Sequence, residues 1–131
     1  MSLVLKDGLS DTAGVVTLRT WAFAIRFINS STPVAHALIC PDAKYVAVRW
    51  QDGRLDRRHV PASLWPGLEL ELTRNLTAGP VSKLGMINTV LVGSMGAVMD
   101  VAFVESQPIQ IRRREDAEAA LDAATRSTQP V

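Results

Sequence analysis

At 131 residues and 47% hydrophobic content, the chain is long enough to bury one core without a disulfide or metal staple. A net charge of +1 excludes a global electrostatic attraction to nucleic acid or a membrane surface, and the lone Cys40 excludes an intramolecular disulfide. The positive charge is uneven, eleven Arg against three Lys, a makeup suited to bidentate contacts with carboxylate or phosphate.

Residues 3–5 read as a first short strand, followed by turn chemistry at Asp7-Gly8 and from Asp11 to Gly14. Met1 to Asp11 carries Lys6 and Asp7 and lacks the long apolar core of a signal peptide, so the expected setting is cytoplasmic or an intracellular assembly. Val15 to Ile28 fits two patterns. As a helix it lines up Leu18, Trp21, Ala22, Ile25 and Ile28 but leaves Phe23 and Phe27 off the stripe. As a strand it gathers Trp21, Phe23, Ile25 and Phe27 on one face and Ala22, Ala24, Arg26 and Ile28 on the other. Aromatic and β-branched residues favour the strand, which is the prediction here.

Asn29 to Pro33 is a polar loop, and Val34 to Cys40 a short strand bounded by Pro33 and Pro41. The clearest local signal follows: Tyr45 to Trp50 and Arg54 to Val60 alternate on either side of Gln51-Asp52-Gly53. Asp-Gly between two such runs predicts a β-hairpin, because glycine reaches positive φ at little cost. Pro61, Pro66 and Gly67 mark a corner, and the alternating Leu68-Glu69-Leu70-Glu71-Leu72 predicts a half-solvated strand. Leu76 to Pro80 reads as loop.

Leu84 to Val104 is nearly uncharged, broken only by Asp100. Its glycines, Asn88 and Asp100 fit a membrane helix badly. Two buried strands, Thr89 to Val92 and Ala97 to Val104, joined by a Gly93-Ser94-Met95-Gly96 turn, fit better. A last strand is expected at Ile109 to Ile111 and a short Ala-rich helix from Asp116 to Arg126, with a frayed tail from Ser127. The predicted fold is therefore mainly β: an antiparallel sheet or small sandwich or barrel of about six to eight short strands. Residues 1–115 form its β-rich domain, and residues 116–131 the C-terminal helix and tail.

Catalytic chemistry has few candidates. His36 and Cys40 share a strand face near Asp42, but a zinc site needs further ligands and His59 is the only other histidine. Glu69 and Glu71 are spaced as the solvated side of a strand. Gly93-Ser94-Met95-Gly96 completes no phosphate-loop, dinucleotide or nucleophile-elbow pattern. The sequence therefore implies no enzyme, metal, cofactor or small-molecule substrate.

Two binding readings remain. The apolar excess and the uncharged Leu84 to Met99 stretch point to a self-associating structural or assembly protein, coat-like or a scaffold module. Its expected homo-oligomer interface is Val90, Val92, Met95, Val98, Met99, Val101 and Phe103. The alternative is a small nucleic-acid-binding accessory or regulatory protein. Its contacts would be Arg49, Trp50, Arg54, Arg57 and Arg58 on the hairpin, with Arg112, Arg113 and Arg114 as a second patch. Arg57 and Arg58 are adjacent and must point to opposite sheet faces, and Asp52, Asp56, Glu115 and Asp116 offset the local charge.

Overall fold

Alternation along β1 (Trp21–Phe27) sends Phe23 and Ile25 to one side of a sheet and Ala22, Ala24 and Arg26 to the other. A computed structural model of the chain describes residues 18–74, 76–104 and 114–128. β1 is joined there by β2 (Ala35–Cys40), β3 (Tyr45–Trp50), β4 (Leu55–Arg57), β5 (Gly79–Pro80) and β6 (Met99–Phe103). The six form one antiparallel sheet in the order β4-β3-β2-β1-β6-β5. The β-centred architecture expected from the sequence is thus the observed one, with the strand reading of Val15 to Ile28 holding over Trp21–Phe27. The hairpin holds too: β3 and β4 meet around Gly53 at φ +99°. The strands expected at residues 3–5 and Ile109 to Ile111 lie outside the described residues.

Two predicted strands are helices. Leu68 to Leu72 lies in α1 (Trp65–Thr73). Leu and Glu are both strong helix formers, and Pro66 sits in the first turn, where its missing N–H costs nothing. Trp65, Leu68 and Leu72 make one buried helical face, whereas Leu70, the residue that completes the apparent alternation, is 57% exposed. Thr89 to Val92 lies in α2 (Met86–Val92), whose Ile87, Asn88, Leu91 and Val92 are buried. The orphan N–H groups of its first turn are satisfied from a distance: Met86 and Ile87 donate to the Glu71 carboxylate at 2.8 and 3.0 Å. A Cβ at Gly85 would stand 2.5 Å from that carboxylate, so a larger residue there would have to push the Glu71 side chain away from its cap. Gly93, at φ +53°, ends α2, and a 3-10 turn over Gly93–Ala97 leads into β6.

α3 (Arg114–Thr128) extends beyond the predicted helix at both ends and covers the Thr128 side of the expected tail. Helices lie on both faces of the sheet. On one, α1 and α2 close a core of Phe23, Ile25, Ile39, Val46, Val48, Trp50 and Val101. On the other, Ala117 and Leu121 of α3 pack on Leu38, Cys40, Tyr45 and Ala47.

Candidate functional site

Most of the charged side chains that could do chemistry are occupied in holding the fold together. The two glutamates of the Leu-Glu repeat, expected on one strand face, leave α1 in different directions. Glu71 caps α2, and Glu69 accepts a hydrogen bond from the Arg19 guanidinium. Arg19 also donates through its backbone N–H and side chain to Asp42 at 2.8 and 2.6 Å. Burial on its own would raise the Asp42 carboxyl, but the hydrogen bonds and charge of Arg19 outweigh it and hold the group below its ordinary value.

His36 and Cys40 do share a face. Burial pushes the Cys40 thiol up, away from the thiolate a nucleophile needs. Burial likewise lowers His36, whose Nδ1 has no hydrogen-bond partner. Among the described residues no group of three or more His, Cys, Asp or Glu could hold a metal ion, and no helix is long and apolar enough to cross a membrane.

The hairpin arginines diverge. Arg57 points toward α3 and pairs with Glu118 at 2.8 Å, while Arg58 points toward α2 and donates to the Leu91 carbonyl at 3.0 Å. Arg54 bonds Asp52 at 3.2 Å and lies over the Trp50 ring. Trp50 itself is buried, its Nε1 donating to Asp56 at 2.8 Å, so its ring is not offered to a nucleic-acid base. Arg49 donates to the Gly53 carbonyl at 2.8 Å. Arg112, Arg113 and the Arg114 side chain lie outside the described residues.

The expected interface residues also separate. Val92, Met99 and Val101 are core residues under α1 and α2, because the segment turns into a helix and an inner strand. Val90 and Phe103 are half-buried, with Phe103 edge-on to Phe23 at 5.7 Å. Met95 and Val98 reach the surface, Val98 at 52% exposure.

Beside Val98 stand two residues the interface expectation did not include. Phe27, expected on one face with Trp21, Phe23 and Ile25, lies past the core at the end of β1 and is 49% exposed. Ile28, also exposed, donates its N–H to the Val98 carbonyl at 3.1 Å, which ties the β1 end to the turn before β6. Phe27, Ile28, Ala97 and Val98 line a shallow apolar groove of about 390 Å³ with Asn29 and Ser30 at its rim. The sequence held one signal for this: Phe27 and Ile28 are adjacent, so both cannot face one core.

A second concavity of about 500 Å³ lies between the segment following β4 and α1, lined by Lys44, Arg58, His59, Val60, Trp65 and Glu69 among others. No protein-family model matches the chain, and no curated protein or solved structure matches it significantly.

Proposed function

We propose that this protein is a non-enzymatic, self-associating structural module, coat-like or a scaffold, whose copies meet through the groove at the end of β1. The observation that carries the reading is the exposed cluster of Phe27, Ile28 and Val98, tied together by the Ile28–Val98 backbone hydrogen bond. Large apolar side chains left in water at adjoining backbone positions favour burial by a partner at about 25 cal/mol per Å². A second copy supplies the same apolar surface, in the self-complementary manner of two-fold dimers.

Two further features support this reading. The described sheet edges are poor docking strands: β4 has three residues, and β5 has two, one of them Pro80. Association is thereby directed away from edge pairing. On the hairpin, the ion pairs of Arg54 with Asp52 and of Arg57 with Glu118 offset two of the arginines that a polyanion would use. Size-exclusion chromatography with light scattering tests the proposal. A discrete oligomer is expected; a 14.2 kDa monomer at high concentration would contradict it. A raised 260/280 absorbance ratio in the same peak would instead support the nucleic-acid alternative.

A further inference from the structure

The cleft between the segment after β4 and α1 is lined by three nitrogen-bearing residues that the assembly reading does not use. Lys44 and Arg58 are cationic, and neither has a carboxylate within ion-pair distance among the described residues. His59 follows Arg58 on the same wall. The one acid lining the cleft, Glu69, already accepts from Arg19.

Two local features there are unfavourable in the protein alone. The Nε of Arg58 is buried with no hydrogen-bond partner, although its Nη2 reaches the Leu91 carbonyl at 3.0 Å. Lys44 is the sole non-glycine residue at positive φ among the described residues, at φ 50° and ψ 46°. This conformation sets its ammonium 5.4 Å from the centre of the Trp65 ring at the cleft wall. A negatively charged ligand would offset the uncompensated charge of Arg58 and Lys44 and use the placement that the Lys44 backbone secures.

We infer that this cleft binds a phosphoryl group. A guanidinium and an ammonium borne by residues that line one cavity suit a tetrahedral oxyanion that takes hydrogen bonds from several directions. Val60, Trp65 and Pro66 form a wall for the apolar part of the molecule that carries it. The phosphoryl group can come from a free monoester or from a nucleic-acid backbone, and the probes separate the two sources.

Isothermal titration of the full chain with phenyl phosphate, and separately with a short single-stranded RNA bearing a 5′-hydroxyl, tests the site. Saturable binding of one of them is expected, weakened at least about tenfold by Arg58→Gln and by Lys44→Gly, and unchanged by Arg54→Gln. Lys44→Gly suits the left-handed backbone, so it keeps the fold while removing the cation. If the RNA alone responds to these variants, the group is a backbone phosphodiester; if phenyl phosphate alone responds, it is a monoester. Binding of neither probe, or binding indifferent to Lys44→Gly in a folded protein, would overturn the inference. Because the cleft and the Phe27–Val98 groove share no residue, its failure leaves self-association standing.

Discussion

Toward α1 and α2 the sheet presents Phe23, Ile25, Ile39, Val46, Val48 and Trp50; toward α3 it presents Ala22, Leu38, Cys40, Tyr45 and Ala47. The first face is filled by volume, large side chains from strands and helices closing on one another. The second is thin. Alanines let α3 lie close, Leu121 is its only large buried apolar residue, and a polar cluster supplies what area does not. Tyr45 donates to Glu118 at 2.5 Å, and the Arg57 Nε donates to the same carboxylate at 2.9 Å. The contrast shows how one sheet can hold two helical layers by different means, dispersion and transfer on one side, hydrogen bonding on the other.

The largest expected effect lies on the thick face. Phe23→Ala, at a 1% exposed site, is expected to cost about 3–5 kcal/mol in urea denaturation, from lost transfer energy plus the cavity it leaves. Leu121→Ala on the thin face is expected to cost about 2–3 kcal/mol, the lower part of the range for such truncations, because the alanine-rich surroundings leave less to lose. Equal costs would remove the distinction between the faces.

Next comes the polar cluster, where Tyr45→Phe is expected to cost about 1 kcal/mol. Tyr45 is the chain's only tyrosine, so its ultraviolet titration reports this site alone. Burial, and then the hydrogen bond to the Glu118 carboxylate, push its phenol from 10.0 up to about 12. A raised folded value means that the fold favours the protonated phenol. Its contribution is therefore full below pH 10 and is lost as pH rises toward 12. Glu118→Gln is expected to bring the titration midpoint down, and an unmoved midpoint would break the account of this network.

Glu71→Ala is expected to cost about 1 kcal/mol, the loss of a carboxylate cap on α2, and to loosen α2 before the sheet in hydrogen exchange. The smallest effect concerns His36. Burial depresses its folded value, so the unfolded chain takes up the proton first. Stability should then fall as pH drops below 6.5, and His36→Gln should flatten that fall. A pH profile identical in both proteins would contradict it.

The sheet was legible in the sequence wherever alternation agreed with propensity, as in Tyr45 to Trp50 around Asp52-Gly53 and in the aromatic run of β1. It misled at Leu68 to Leu72, where period-two alternation in Leu and Glu ran against the helix preference of both residues and the tertiary role of each glutamate. α2 was hidden for another reason: its β-branched Ile87, Thr89, Val90 and Val92 favour a strand, and its cap is Glu71, fifteen residues upstream. The cleft was equally unreadable, since Lys44, Arg58 and Trp65 meet only once the hairpin folds beside α1. Of the expected interface, Met95 and Val98 are at the surface, and Val98 shares its groove with Phe27 and Ile28 from the end of β1.

Self-association is tested most directly by sedimentation velocity over a concentration series, comparing the natural chain with Phe27→Asp/Val98→Asp. Both positions are about half exposed, so the charges should spare the fold, which circular dichroism verifies. An oligomer is expected for the natural chain, and a 14.2 kDa monomer for the double variant at every concentration. A natural chain that sediments as a monomer throughout, or a double variant that assembles as well as its parent, would contradict it.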